Sequence, residues 1–136
     1  MIVDASALLA VVLDEPDGRR FAEMIAGAPR ARMPAATWFE AALAVDTKGD
    51  DLASRRFDDA VRSLRIELIA FTPVHAEHAR EARRIFGKRR HPAQLNFGDC
   101  MVYGVAKAER EPLLFKGDDF LHTDIAGSLS RRKKKR

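Results

Sequence analysis

MIVDASAL, residues 1–8, puts an acid where an apolar strand turns into a helix. Ile2-Val3 reads as a short strand that stops at Asp4, and Ser6 is placed to cap a helix running through Val12. Three further segments repeat this juxtaposition of acid and apolar sequence: ATWFEAAL carries Glu40, LNFGDCMV carries Asp99, and LLFKGDDF carries the pair Asp118-Asp119. A lone carboxylate in such surroundings loses hydration at considerable cost, so a shared cation is the simplest way to hold all of them ionised.

Outward from that first junction, short strands alternate with helices. Glu15-Pro16-Asp17 restarts a helix, with Pro16 near its first turn, and Phe21, Met24 and Ile25 share its apolar face up to Gly27. Ala31-Arg32-Met33 is a weak strand. A helix follows from Ala35 to about Lys48, with Trp38, Ala41, Ala42 and Val45 at core spacing and Glu40 near its start, off that stripe. Residues 50–64 form a helix on Phe57, Val61 and Leu64, Ile66 to Phe71 form a strand, and Thr72-Pro73 opens a helix to about Phe86. The polar stretch from Gly87 to Asn96 contains Pro92 and reads as a loop. Gly98 opens a helix through Ala108 with Val102, Val105 and Ala106 facing inward, and Leu113 to Phe115 is a last strand halted by Gly117. Alternation of this kind implies a single α/β domain with a mostly parallel sheet, whose ligands bind outside the carboxyl ends of the strands. That rule brings Asp4, Glu40, Asp99 and the Asp118-Asp119 pair to one edge.

Length and composition fit one domain over residues 1–129. A chain of 136 residues buries one core of ordinary size, and 46% apolar residues supply it. No apolar run approaches the roughly 20 residues of a membrane span, and Met1 leads directly into a strand without a basic n-region, so a soluble cytoplasmic protein without a signal peptide is expected. Cys100 is the only cysteine, which rules out an internal disulfide framework and a cysteine-rich zinc site and leaves it as a small core residue. The histidines show no metal-ligand spacing. The net charge of +4 resides in the terminal RRKKKR, since the remaining 130 residues hold 18 Lys and Arg against 20 Asp and Glu, a balance of −2. Residues 130–136 are therefore expected to be a disordered basic tail. Within the body, Arg83, Arg84, Lys88, Arg89, Arg90 and His91 cluster just upstream of Asp99 and raise the odds that this region meets a polyanion.

Carboxylates crowded within about 4–6 Å raise one another's pKa unless a cation compensates. Mg²⁺ or Mn²⁺ prefers such oxygen ligands, and with them can activate water and screen a phosphate, so the set suggests phosphodiester chemistry with one metal or two. MIVDASAL, Glu40, LNFGDCMVYGVAK and LLFKGDDFLHTDI, in this order, resemble the PIN-domain ribonucleases, and closely the VapC-type toxins of bacterial toxin–antitoxin pairs. The resemblance runs from Met1 to about Leu129. It implies a PIN-like three-layer α/β/α fold and a Mg²⁺- or Mn²⁺-dependent endoribonuclease that cuts structured RNA such as transfer RNA, pairs as a homodimer and is held inactive by a cognate antitoxin. Carried over by position, Asp4, Glu40 and Asp99 match the acidic triad and Ser6 the small polar residue supporting the first acid. Asp119 is the better match for the fourth acid and Asp118 the alternative. Lys88, Arg89, Arg90 and Lys116 are the candidate RNA contacts.

Blander readings apply to each residue alone. Asp4 suits a helix N-cap, Glu40 a surface helix, Asp99 a first turn favoured by the helix dipole, and Asp124 the cap of a short terminal turn. Trp38, Phe39 and Phe97 fall at packing spacing and read as core or dimer contacts rather than base-stacking platforms. An Asp-x-Asp phosphatase is disfavoured because Ser6 stands where its second acid belongs, and a phospho-receiver because its early acidic pair is missing. The serious competitor is a catalytically silent PIN-like module that binds RNA or protein.

Overall fold

Four short parallel strands form the sheet that orders everything else, in the sequence β3-β2-β1-β4. The computed structural model describes residues 1–87 and 94–125. In chain order the elements are β1 (Ile2–Val3), α1 (Ala5–Val12), α2 (Gly18–Gly27), β2 (Arg32–Pro34), α3 (Ala35–Asp46), α4 (Asp51–Ser63), β3 (Glu67–Ile69), α5 (Pro73–Phe86), α6 (Phe97–Glu109) and β4 (Leu113–Leu114). The chain builds outward from β1 through β2 to β3, then returns through α5 and α6 to place β4 on the other side of β1. The order therefore reverses between β1 and β4, and the crevice beyond their carboxyl ends is where such sheets bind ligands.

Strand alternation decides which helix covers which face. Val3 and Leu114 join Met33 in a core with α1, α2, α3 and α4, including Leu8, Phe21, Ile25, Val45 and Phe57. Ile2 and Leu113, one residue earlier on each strand, join Leu95, Val102, Tyr103, Val105 and Phe120 in a second core beneath α5 and α6. The three-layer α/β/α arrangement expected from the sequence is thus present, with the central strands β1 and β4 buried on both faces and the edge strand β3 largely exposed. α5 and α6 approach closely at Gly104, where a Cβ would lie 2.5 Å from the His75 carbonyl oxygen. Among the described residues no helix is long and apolar enough to cross a membrane.

Several local expectations are corrected. Ser6 does not cap α1: its N–H and hydroxyl both donate to Asp4, so Asp4 is the cap, because the strand ends one residue earlier than a Ser6 cap needs. Pro16 precedes α2, which begins at Gly18 behind an Asp17 cap. The third strand contracts to Glu67–Ile69 because only these residues pair with β2. Asp124 caps no turn among the described residues. It accepts from the Tyr103 hydroxyl and from Lys107 Nζ at 2.5 Å, fastening the segment after β4 to α6. Phe39 and Phe97 are not core residues, being 57% and 79% exposed, since each stands on the solvent side of its helix. Cys100 is buried as expected. The basic positions 88–91 and the tail 130–136 lie outside the described residues.

Candidate metal centre at the carboxyl edge of the sheet

The first acid is fixed by the strand that carries it. Asp4 N–H donates to the Leu114 carbonyl at 2.9 Å, which continues the β1–β4 pairing up to the residue where the chain turns into α1. Its Oδ2 accepts the Ser6 N–H at 3.1 Å and the Ser6 hydroxyl at 2.5 Å. That hydroxyl in turn accepts the Lys116 peptide N–H at 2.9 Å, so Ser6 couples the first acid to the segment leaving β4. The Lys116 ammonium pairs with Glu15. A lysine beside the acids is therefore already balanced by a carboxylate of its own.

Asp99 is set by the start of α6. Asn96 caps this helix, its Oδ1 accepting the Asp99 N–H at 2.9 Å while Asp99 Oδ2 accepts the Asn96 N–H at 3.2 Å. The reciprocal pair locks the rotamer of Asp99 and leaves its second oxygen for the crevice. Glu40 comes from α3 on the opposite core and reaches across to α6 at Gly98. A Cβ on Gly98 would sit 2.2 Å from Glu40 Oε2, so only glycine lets this carboxylate lie against the α6 terminus beside Asp99.

The electrostatics tie the acids together. Burial raises the pKa of Asp4, which is 6% exposed, and the charge of Asp119 adds to that rise against the Ser6 hydrogen bonds. Glu40 is raised by desolvation and by Asp4. Asp99 is pushed up to about 7, first by burial, then by Asp4 and Asp119, and by a carboxyl–carboxyl hydrogen bond with Asp119 that requires a proton between them. Asp119 thus faces Asp4 and Asp99. Asp118 is exposed, and its carbonyl accepts the Leu121 N–H in the turn after β4.

These are the marks of acids that lack a positive counterpart. Oxygen-only donors and mutual repulsion suit a hard divalent cation. Among the described residues no three His, Cys, Asp or Glu side chains are gathered tightly enough to hold an ion together. Closing the set asks for movement of the exposed Glu40 and Asp119 toward the anchored Asp4 and Asp99.

Four supporting residues escaped the sequence reading. Asn96 was findable, since Asn-x-x-Asp ahead of an apolar helix is the spacing of a reciprocal cap. In the sequence Gly98 reads only as a helix start, and Glu15 as part of the Glu15-Pro16-Asp17 segment that restarts a helix. Thr37, three residues before Glu40 on α3, is fully buried with no partner for its Oγ1 among the described residues. No sequence signal distinguishes it from any helical threonine.

An open parallel α/β sheet with acids at its switch point is compatible with several chemistries, and comparison with known proteins narrows them. The PIN domain model matches residues 1–126. Ribonuclease VapC30 of Mycobacterium tuberculosis is 42% identical over 126 residues, covering 93% of this chain and 96% of that protein. Ribonuclease VapC28 of the same organism is 41% identical over 133 residues, covering 97% and 100%. In structure, the sarcin–ricin loop cleaving toxin VapC20 of M. tuberculosis superposes with a TM-score of 0.73 at 15% identity over 92% of this chain and 95% of that one. A toxin–antitoxin complex from Klebsiella pneumoniae gives 0.69 at 17% identity over 90% and 92%. The chain belongs to the PIN-domain family, among the VapC ribonucleases.

Proposed function

We propose that this protein is a Mg²⁺- or Mn²⁺-dependent endoribonuclease toxin of the cytoplasm, hydrolysing RNA at Asp4, Glu40, Asp99 and Asp119 and restrained by a cognate antitoxin. The observation that carries the reading is the gathering of these carboxylates at the β1–β4 switch point, where Asp4 raises the pKa of Glu40 and Asp99, and Asp119 raises that of Asp4 and Asp99. Asp4, Asp99 and Asp119 would hold the cation, with Asp118 as a further oxygen donor beside them. When bound, such a cation supplies Lewis-acid polarisation of a phosphate oxygen and of water.

The chain's own residues do the rest. Ser6 keeps Asp4 in one rotamer, so that its free oxygen stays on the crevice, and Asn96 does the same for Asp99. Glu40 is exposed and has a raised pKa, which suits a group that accepts a proton from attacking water and passes it on. Lys88, Arg89, Arg90 and Lys116 are basic residues close in sequence to Asp99 and Asp119 that would meet RNA phosphates. A homodimer is part of this reading, supported by the exposed apolar side chains of α3, Phe39 and Leu43. An antitoxin segment would place an Arg or Lys among the carboxylates.

The test is incubation of purified protein with total RNA, with and without Mg²⁺ or Mn²⁺, followed by mapping of new ends. Discrete cuts that need the metal and disappear in Asp4→Asn, Glu40→Gln and Asp99→Asn are expected. Cuts that persist unchanged in all three variants would sink the assignment.

A further inference from the structure

Beside the acids, on the α5–α6 side, lies a cavity of about 440 Å³ whose lining includes Phe71, Arg80, Arg83, Asn96, Phe97 and Met101 and no carboxylate. Its floor is apolar and its charged lining is two arginines. Asn96 and Phe97 immediately precede the Gly98-Asp99 step, so the cavity and the acidic crevice share the first turn of α6. Phe97 is the most exposed large apolar side chain among the described residues, at 79%, and it stands at the rim.

We propose that this cavity is a nucleobase subsite, holding one unpaired RNA base next to the bond cut at the acids. This rests on the ribonuclease reading and adds to it a place where sequence preference is set. The volume falls within the roughly 300–1,000 Å³ of small-ligand pockets and accommodates a base with its ribose. Phe97 offers an aromatic face for stacking, which recognition of unpaired RNA bases relies on. Asn96 commits its Oδ1 to the Asp99 N–H, and its amide NH₂, unpartnered among the described residues, is left to donate to a ring nitrogen or carbonyl of the base. Arg80 is exposed with no ion pair among the described residues, and Arg83 gives one N–H to the Leu95 carbonyl at 3.0 Å while keeping other donors. Both suit the flanking phosphates. Charge decides among occupants: two cations and no acid favour a polyanion over a second copy of this chain, whose body has a net charge of −2.

The probe is a fluorescein-labelled single-stranded RNA octamer, bound in EDTA so that cleavage plays no part, together with eight versions that each carry one abasic position. One abasic position should weaken binding to the full chain by about 5- to 100-fold, the range expected for loss of one stacked base. Phe97→Ala should cause a loss of the same size and abolish sensitivity at that position, while Phe97→Trp retains both. Arg80→Ala should weaken all octamers alike and flatten the salt dependence. Melting temperatures of the variants establish that they are folded, and Arg80→Ala and Phe97→Trp carry the test if Phe97→Ala is not. No sensitive position, or a sensitive position unaffected by Phe97→Ala, overturns the subsite. So does a Phe97→Ala protein that binds RNA normally but has lost self-association or antitoxin binding, since the cavity is then a protein contact. Absence of metal-dependent cleavage with base-sensitive binding intact would instead remove the nuclease reading and leave the subsite standing.

Discussion

Asp99 shows how one residue carries opposite demands from folding and from chemistry. Its carboxyl is held near 7 against 3.8 for the free side chain, so the folded state binds its proton more tightly than the unfolded chain does. Between about pH 4 and 7 the unfolded state is then the more deprotonated, and stability falls as pH rises. Asp4 and Glu40 are shifted in the same direction and add to the slope. Asp99→Asn should therefore flatten the pH dependence of thermal melting in EDTA and raise stability near neutral pH by about 1–2 kcal/mol, while abolishing cleavage. A variant less stable than wild type at pH 7.5 would show that Asp99 is compensated inside the protein after all. Gly98→Ala separates position from charge. The atom it strikes is the mobile end of Glu40, so the fold should survive with little change in melting temperature while the carboxylate swings away. Activity should fall toward that of Glu40→Gln. Ser6→Ala should lower metal affinity or activity by about 10- to 100-fold, the usual cost of losing a group that orients a ligand. The sequence exposed Asp4, Ser6 and Asp99 readily, because each adjoins a clear apolar strand or helix start. It ordered Ser6 and Asp4 wrongly as caps, because both are good capping residues and only the strand end decides between them.

At the level of elements, the reciprocal cap of α6 joins stability to function. Asn96→Ala should cost about 1 kcal/mol, seen as a fall in melting temperature of a few degrees, and should also release the Asp99 rotamer and depress cleavage out of proportion to the stability loss. Asn96→Asp restores an acceptor for the Asp99 N–H but adds another negative charge beside the acids. It should recover more stability than activity, and equal recovery of both would argue against the charge effect. Helix positions were legible in the sequence because the apolar spacing of α3, α4, α5 and α6 is regular, and Thr72 announces α5 with Pro73 behind it. The length of β3 was not, because a short edge strand is defined by pairing partners distant in the chain rather than by its own pattern. The core half of the reading of Phe39 and Phe97 failed for a related reason. Periodicity marks a face of a helix, but what covers that face is a tertiary fact, and nothing described covers theirs. Glu40 was legible only through its place in the order of motifs, since its approach to Asp99 depends on a glycine 58 residues later in the chain.

Across the whole molecule the two ends of the sheet are built on contrary principles. At the amino ends of the strands, charges are matched: the Met1 ammonium contacts Glu111 at 3.3 Å, Arg32 bridges Glu111 at 2.6 Å and Glu109 at 3.5 Å, and Arg30 meets Glu67 at 3.0 Å. Buried His75 completes the set through Nε2 to Glu109 at 2.8 Å, while its Nδ1 accepts the Thr72 N–H. At the carboxyl ends, four acids confront one another, and among the described residues none of them has an ion pair. Mn²⁺ should accordingly raise the melting temperature of wild type in a concentration-dependent manner and raise that of Asp99→Asn much less, by the linkage between binding and folding. Equal shifts in both would place the ion elsewhere. The contrast also bears on how the protein breathes. Amide exchange in EDTA should be slowest for β1 and β2 where they begin, and fastest around Asp4 and the first turn of α6, so that opening starts at the crevice and works backward. A cation would then act as a clasp on the loose end, and an antitoxin that donates a positive side chain there would protect its toxin from proteolysis by the same stroke that silences it.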